Sequence, residues 1–313
     1  INTVYYINAN SYQEDGWRDG SPSEIKQLLV NLSYRSQDLT ADLFMAGNDN
    51  KMVGNGAVPI ELLSQQSSTA IYTQPDETKT QLGMIGLNLQ TNLSSNFSLN
   101  GNMYYRHNKI NSINGDDSDY SPCLFNGGIT LCEGEDDEGD ESEDEIGDEE
   151  LEPVTVKGFD ETVGLSDLTS INAEEIDGTR NTGATDNSSY GFTAQLVRHD
   201  YFGEAQNEFI IGIGVDKAKI DFSSDSEFAI LHNDTIYDDR SVSGIGFYDY
   251  DSMVKLKTET SHHYLYLVNS IDLDNGIALS LAGRYNESEL KMNDLIESGP
   301  GSLDGLHKYH RFN

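Results

Sequence analysis

The feature that most constrains this chain is a repeated alternation of apolar and polar residues. In the segment FSLNGNMYYR, which begins at Phe97, every second residue is apolar or aromatic at first and the residues between are polar. A period of two is that of a β-strand with two different faces. Ten strands of this kind are predicted, at 1–9, 24–35, 39–48, 81–93, 97–109, 189–199, 207–222, 258–273, 276–292 and from His307 onward.

The connections between these strands alternate strictly between short and long. The short ones are SQD, SSN, DYFGEAQ and DN, whereas each long one has 13 residues or more. In an antiparallel up-and-down sheet this order places all short turns at one end and all long loops at the other. Outer-membrane barrels have this asymmetry, with tight periplasmic turns and long extracellular loops. The predicted fold is therefore all-β, an antiparallel up-and-down transmembrane β-barrel, although a half-buried sheet of a soluble protein shows the same alternation.

The two faces of the predicted strands fit a lipid side and a lumen side. Tyr105 and Tyr285 fall on the apolar face toward the long-loop end, where barrels carry an aromatic girdle. Arg106 and Arg284 fall on the opposite face. Recognition of an anionic ligand and ordinary charged lining are both open interpretations of these two arginines. Outside the strands, one short helix is predicted at 59–66, with Pro59 in its first turn.

Charge and hydropathy exclude several classes of protein. The 54 acidic residues exceed the 19 basic ones, for a formal net charge of −35. Such a chain repels the phosphates of nucleic acids, so we predict no nucleic-acid partner. No run of about 18 apolar residues is present, so no transmembrane helix is predicted.

The longest predicted loop, 110–188, is extracellular in this interpretation and contains an acidic low-complexity insertion at 133–150. Runs of like charge are typical of solvated insertions. A low-affinity cation site is the alternative, although the run lacks the spacing of an EF-hand. In the same loop, Cys123 and Cys132 are predicted to form a disulfide in an oxidising compartment, with two free thiols as the alternative.

The residues do not indicate an enzyme. Metalloprotease, nucleophile-elbow, P-loop and dinucleotide-binding motifs do not occur in the sequence. The adjacent His262 and His263 point to opposite faces of a strand and cannot share a metal. We therefore predict no catalytic residues, no metal site and no cofactor.

Five residues in the long loops are the candidates for ligand contact. Trp17 is the single tryptophan and stands next to Arg18 between turn-forming residues. An alternative role for Trp17 is packing within its loop or at the membrane interface. The full set of candidates is Trp17, Arg18, Asn114, Asp116 and Asp117.

Several stretches together resemble the barrel of TonB-dependent outer-membrane receptors. They are EDGWRDGSPSEIKQL, GNGAVPIELLSQ, AIYTQPDETKTQLGM, LNGNMYYRHNKINSINGDDSDY, and the closing LAGRYNESEL and LHKYHRFN. The similarity extends from about Val4 to Asn313. The resemblance implies that residues 1–313 are a fragment of a barrel of about 22 strands, with a plug domain and a TonB box outside this sequence.

The resemblance also implies a function and its partners. Receptors of this family sit in the outer membrane, contact its lipid, and import a scarce extracellular ligand with energy from the TonB complex. Ferric siderophores, cobalamin and oligosaccharides are the ligand classes. Two other classes stay open from the residues: a passive porin or adhesin barrel, and a secreted soluble β protein whose acidic loop binds cations.

Overall fold

The structure, a computed structural model, describes residues 2–54, 56–118, 120–125, 128–133, 152–158, 176–232, 239–273, 276–297, 299 and 301–313. These residues form 15 β-strands and one short helix. The ten long strands of the main sheet are β1 (Asn2–Glu14), β2 (Ser23–Arg35), β3 (Leu39–Val53), β4 (Asp76–Asn92), β5 (Phe97–Asp117), β10 (Gly178–Phe202), β11 (Ala205–Leu231), β13 (Val254–Leu273), β14 (Ile277–Asp294) and β15 (Gly305–Phe312). The other elements are α1 (Ile60–Gln65), β6 (Tyr120–Phe125), β7 (Gly128–Glu133), β8 (Glu152–Pro153), β9 (Val156–Gly158) and β12 (Val242–Asp249).

The long strands form one antiparallel sheet in chain order, from β1 to β15. All ten strands predicted from the alternation are present, and the short helix is found at the predicted place. The short turns lie at one end of this sheet. Gly203 and Gly276 lie in two of these turns with φ of 67° and 80°, a left-handed conformation that favours glycine. The described part of the chain contains no helix with the length and apolarity needed to span a bilayer.

One face of the sheet, here called the apolar face, carries a continuous band of large apolar side chains. Paired residues of neighbouring strands point to the same side, so the register defines the band: Leu43 pairs with Leu87, and Ile213 with Leu265. Representative members are Ile7, Val30, Leu43, Leu87, Met103, Phe192, Ile213, Leu265 and Leu281. Most of them are exposed, with Leu281 at 75% and Ile213 at 50%. A soluble monomer rarely exposes so large an apolar patch, so this face needs an apolar environment.

The opposite face, here called the polar face, is held by side chains that bridge across strands. The Tyr104 hydroxyl of β5 donates to an oxygen of Asp216 on β11 at 2.9 Å, above Gly191 of the strand between them. In the same way the Tyr266 hydroxyl on β13 donates to Gln195 on β10 at 2.6 Å, above Gly212. The sheet is therefore two-sided as the alternation predicted.

The strands are longer than predicted at the long-loop end. β5 continues to Asp117 and β10 begins at Gly178, and the two pair in register over this extension. The connection between them is thus 118–177 in the structure, shorter than the predicted loop at 110–188. The reason is that backbone pairing continues past the apolar band, where both faces are polar and the sequence alternation fades. Apart from Glu133, the acidic insertion at 133–150 lies outside the described residues.

Short strands in the long connections build a second, smaller assembly, here called the cap. β6, β7 and β8 form a three-stranded sheet, while β9 pairs with β12 and β12 with the outer part of β11. Its core consists of Leu131, Val156, Ile176 and Phe228, which are at most 4% exposed. These short strands were not predicted from the sequence.

Candidate functional site

The loops at the long-loop end are joined by one segment, residues 67–75, here called the strap. At one end of the strap, the Asp19 amide donates to the Thr69 carbonyl at 2.9 Å, and the Thr69 hydroxyl donates to the Asp19 carboxylate at 3.2 Å. Ala70 and Ile71, next in the strap, are buried. The strap therefore contacts the loop between β1 and β2, which carries two of the predicted ligand residues.

At its other end the strap is bonded to two backbone segments. The Gln74 amide donates to the Arg240 carbonyl at 2.8 Å, and the Val242 amide donates back to the Gln74 carbonyl at 2.7 Å. The Gly115 amide donates to the Pro75 carbonyl at 2.7 Å. These bonds tie the connection after β11 and the outer end of β5 to the same strap.

A polar cluster forms where the strap meets β5. The Tyr72 hydroxyl donates to an oxygen of Asp117 at 3.2 Å, and the Asp117 amide donates to the Asp116 carboxylate at 3.1 Å. Partial burial and then the charge of Asp117 raise the pKa of the Tyr72 hydroxyl, while the Arg240 guanidinium opposes that shift. The cluster of Tyr72, Asp116, Asp117 and Arg240 thus places a neutral hydroxyl, two carboxylates and a guanidinium together.

The structure fixes Arg240 through its backbone. Its φ of 59° is left-handed, which is uncommon for a residue with a side chain. The Arg240 amide donates to the His232 carbonyl at 3.0 Å, and nearby the Asp239 carboxylate accepts from both the hydroxyl and the amide of Ser241. These bonds lower the pKa of Asp239. Residues 239–242 are therefore held beside the strap.

Trp17 and Arg18 form a separate pair on the loop between β1 and β2. Trp17 is 68% exposed, and the Arg18 guanidinium carbon lies 4.9 Å from the centre of its ring. Arg18 also donates to the Gly56 carbonyl at 2.9 Å. The exposed ring is stacked on a cation and not buried in its loop, a geometry that leaves its outer surface open to a ligand.

The predicted ligand residues thus fall into two groups. Asp116 and Asp117 belong to the polar cluster, and Asn114 lies on β5 opposite Asn181 of β10. Trp17 and Arg18 lie on another loop, and the strap contacts that loop as well as the cluster. Sequence reasoning missed Tyr72 and Arg240 because they lie in long connections without periodicity or motif. Among the described residues, no group of three or more His, Cys, Asp or Glu side chains could hold a metal ion.

The cap adds a covalent bond to this end of the molecule. Cys123 of β6 and Cys132 of β7 are joined in a disulfide, with their Cα atoms 5.8 Å apart. The ring of Tyr120 meets that of Phe228 edge to face at 5.0 Å, and the Tyr120 hydroxyl donates to Asp249 at 3.0 Å. The cap is therefore packed on the outer part of β11 by both apolar and polar contacts.

The polar face offers a second group of functional side chains. The Arg284 guanidinium carbon lies 4.1 Å from the centre of the Tyr264 ring, and Tyr264 stacks with Tyr266 at 6.3 Å. Arg106 donates to the Ser189 hydroxyl at 3.3 Å. Both arginines lie on the polar face, as predicted. The Arg284 side chain lies over an aromatic ring, and the Arg106 side chain is hydrogen-bonded to a hydroxyl. Neither arginine forms an ion pair with a carboxylate among the described residues.

Solved structures of outer-membrane receptors share this fold. The ferric citrate transporter FecA, in its unliganded form, matches 99% of this chain and 35% of its own, with a TM-score of 0.61 and 12% identity. The ferric-catecholate import receptor Fiu from E. coli K12, in its open form, matches 99% of this chain over 46% of its own length, with a TM-score of 0.62 and 10% identity. The siderophore receptor PiuA from Acinetobacter baumannii matches 99% of this chain over 42% of its own length, with a TM-score of 0.56 and 13% identity. Neither a protein-family model nor a curated protein sequence matches the chain.

These similarities establish the class of fold. The chain is an open segment of an antiparallel up-and-down β-barrel of the kind found in these receptors, so the predicted resemblance is confirmed at the level of fold. It spans between 35% and 46% of the length of the three solved chains. Activity, ligand and partners of the whole protein are therefore matters of proposal.

Proposed function

We propose that this chain is part of the barrel of an outer-membrane receptor that takes up a scarce ligand by TonB-coupled active transport. The observation that carries the proposal is the sheet itself. It has ten long strands, one apolar face and every long loop at one end, and it shares its fold with a ferric citrate transporter and two ferric-ligand or siderophore receptors. The apolar face contacts lipid, and the strap and its loops face the cell exterior.

The neighbours favour a ferric chelate over the other ligand classes. Their names describe one transporter and two receptors, and FecA and Fiu are named for ferric ligands. They are not enzymes, in line with the prediction for this chain. The plug and the segment that recruits TonB belong, in this proposal, to parts of the protein outside this sequence.

The ligand is proposed to bind the polar cluster together with Trp17 and Arg18. A chelated metal ion carries oxygen acceptors around its rim and often an aromatic or extended organic body. The Arg18 and Arg240 guanidinium groups donate to such acceptors, and the exposed Trp17 ring offers a flat apolar surface. The Tyr72 hydroxyl, whose proton is bonded to Asp117, accepts from a donor group of the ligand. Asp116 and Asp117 accept from hydroxyl or ammonium groups of the ligand.

The test uses a strain that lacks the full-length gene and grows under iron limitation. Growth is scored with ferric citrate, a ferric catecholate, cobalamin or an oligosaccharide as the supplied nutrient, after complementation with the wild type or with variants. Tyr72→Phe combined with Asp117→Asn removes one hydroxyl group and one negative charge from the site. We expect about a tenfold or greater rise in the concentration of the effective nutrient needed for growth.

The matched control is Tyr201→Phe, which removes the same hydroxyl from an exposed residue at the short-turn end. It should leave growth unchanged. Growth that depends on none of the nutrients, or that persists without TonB, would overturn the proposed function and favour a porin or an adhesin. Growth that depends on a nutrient but is insensitive to the double variant would overturn only the proposed site.

A further inference from the structure

Uncharged amide and hydroxyl side chains are gathered in one part of the polar face. In one row across neighbouring strands, the paired residues are Thr40, Gln90, Asn100 and Gln195. In the row beside it, the paired residues are Asp42, Asn88, Asn102 and Thr193. These two rows, here called the amide array, run across β3, β4, β5 and β10. They carry five amide groups, two hydroxyl groups and one carboxylate.

The amide array lines a cavity on the polar face. The cavity has a volume of about 350 Å³, and all eight residues of the array contribute to its wall. On β4 and β5 the array lies beside the short turn that joins these strands, at the opposite end of β5 from Asp117. It is therefore separate from the polar cluster and from Trp17 and Arg18.

Much of the hydrogen-bonding capacity of the array is unused within the described chain. The Asn102 amino group donates to the Asn88 amide oxygen at 2.5 Å. Gln90, Asn100 and the two threonines form no side-chain hydrogen bond with any residue that the structure describes. Because each amide group carries a donor and an acceptor, the cavity offers both to a molecule that fills it.

An aromatic ring borders the cavity on the side of β13. The Tyr266 ring lies over Gly212, and its hydroxyl donates to Gln195 at 2.6 Å. Tyr264 stacks with Tyr266, with 6.3 Å between the ring centres. Since one side of the Tyr266 ring covers the backbone of β11, its other side faces away from the sheet. A flat apolar surface therefore lies next to the amide groups.

The charge of the array does not suit an ionic ligand. Asp42 is the one charged residue among the described residues that line the cavity. Its carboxylate already accepts a hydrogen bond from the Ser33 hydroxyl. An anionic chelate meets no cation in this wall, and a cationic chelate meets a single carboxylate. The array therefore does not fit the ferric ligand proposed for the long-loop end.

We propose that the amide array binds an uncharged saccharide. A sugar hydroxyl is both a donor and an acceptor, so it pairs with amide groups that offer both. The C–H groups on one side of a sugar ring are apolar and fit against the flat surface of Tyr266. The inference goes beyond the proposed ferric ligand and takes from the proposed function only that the polar face lines the lumen of the barrel.

The test uses the full-length gene product, purified in an amine-oxide detergent that carries no sugar. Binding is measured by isothermal titration calorimetry with three probes. Maltotriose is an uncharged trisaccharide, a trigalacturonate adds carboxylates to the same kind of chain, and a short polyethylene glycol has no hydroxyl groups along its chain. Maltotriose should bind at least about tenfold more tightly than either of the others.

The variant that probes the array combines Gln90→Ala and Asn100→Ala. It should weaken maltotriose binding about tenfold, as expected for the loss of two hydrogen-bonding groups. Neither side chain is hydrogen-bonded to another described residue, so the fold should be retained.

The matched control combines Asn8→Ala and Asn10→Ala, which removes two exposed amide groups from the polar face of β1, outside the array. It should bind maltotriose within about twofold of the wild type. Both double variants are first checked for a heat-modifiable band on gels. If the array variant does not fold, Asn100→Ala alone should weaken binding about threefold.

Four results would overturn the proposal: no measurable binding of maltotriose, equal affinity for the polyethylene glycol, tighter binding of the trigalacturonate, or wild-type affinity in the array variant. The first of these would indicate that a peptide segment of the full-length protein fills the cavity instead. Failure of the proposed function has a different signature, because it is read from cell fractionation and from growth on ferric nutrients and not from saccharide affinity.

Discussion

At the scale of single residues, glycine determines how the tyrosines of the polar face can lie. Tyr264 and Tyr266 on β13 lie flat across β11, directly above Gly214 and Gly212. A Cβ atom added at Gly214 would come within 2.1 Å of the Tyr264 ring, and one added at Gly212 within 2.3 Å of the Tyr266 ring. Because such distances are far below van der Waals contact, the positions of both rings, and the hydrogen bond from Tyr266 to Gln195, depend on these glycines.

Gly212→Ala is therefore predicted to destabilise the barrel. The methyl group forces Tyr266 out of its place and breaks its bond to Gln195, at a cost of about 1–3 kcal/mol, as for overpacked sites. The measurement is the midpoint temperature at which the folded, heat-modifiable band of the full-length protein is lost, which should fall. Gly83→Ala is the control, because no heavy atom lies within 4 Å of the added Cβ there. Equal midpoints for both variants would contradict this account of the glycines.

At the scale of elements, the cap is the part of the described molecule that has a conventional hydrophobic core. Phe228 and Leu131 are fully buried, and Phe228 comes from the outer part of β11, so the cap is built onto a strand of the barrel. Elsewhere the sheet is half exposed on both faces. The cap and the barrel therefore depend on different contacts for their stability.

Phe228→Ala is predicted to unfold the cap and to leave the barrel folded. Removing a buried phenylalanine costs about 3–5 kcal/mol, which exceeds what a few short strands can supply, while the long-strand pairing is untouched. Limited proteolysis of the full-length protein should produce new cleavage within 118–177, with the heat-modifiable band retained. Phe222→Ala on the same strand, where Phe222 is 37% exposed, should give the wild-type pattern. The same pattern in the Phe228 variant would show that the cap does not rest on this core.

The elements also show what the sequence could and could not predict. The ten long strands follow from period-two alternation, because a two-sided sheet imposes it over the whole apolar band. β6 to β9 and β12 were missed, since short strands without alternation form only through contacts with distant segments. The same holds for the site. Asp116 and Asp117 stand out in the sequence as a polar run after a predicted strand. Nothing in the local sequence indicates that Tyr72 is hydrogen-bonded to Asp117, or Gln74 to Arg240.

At the scale of the whole molecule, one large apolar surface dominates the sheet. The apolar face runs across all ten long strands, and the described chain holds nothing that covers it. Beyond this face, at the long-loop end, lie the strap, the polar cluster and the cap. This order of apolar band and polar loops matches the change from acyl chains to water across a membrane surface.

The most direct test of this order is to locate the full-length gene product in fractionated cells. We expect the protein to sediment with the outer membrane, to require detergent for extraction, and to shift on gels between an unheated, folded form and a heated, unfolded form. Recovery in the soluble fraction without detergent would contradict the account. The apolar face would then have to be covered by protein instead of lipid.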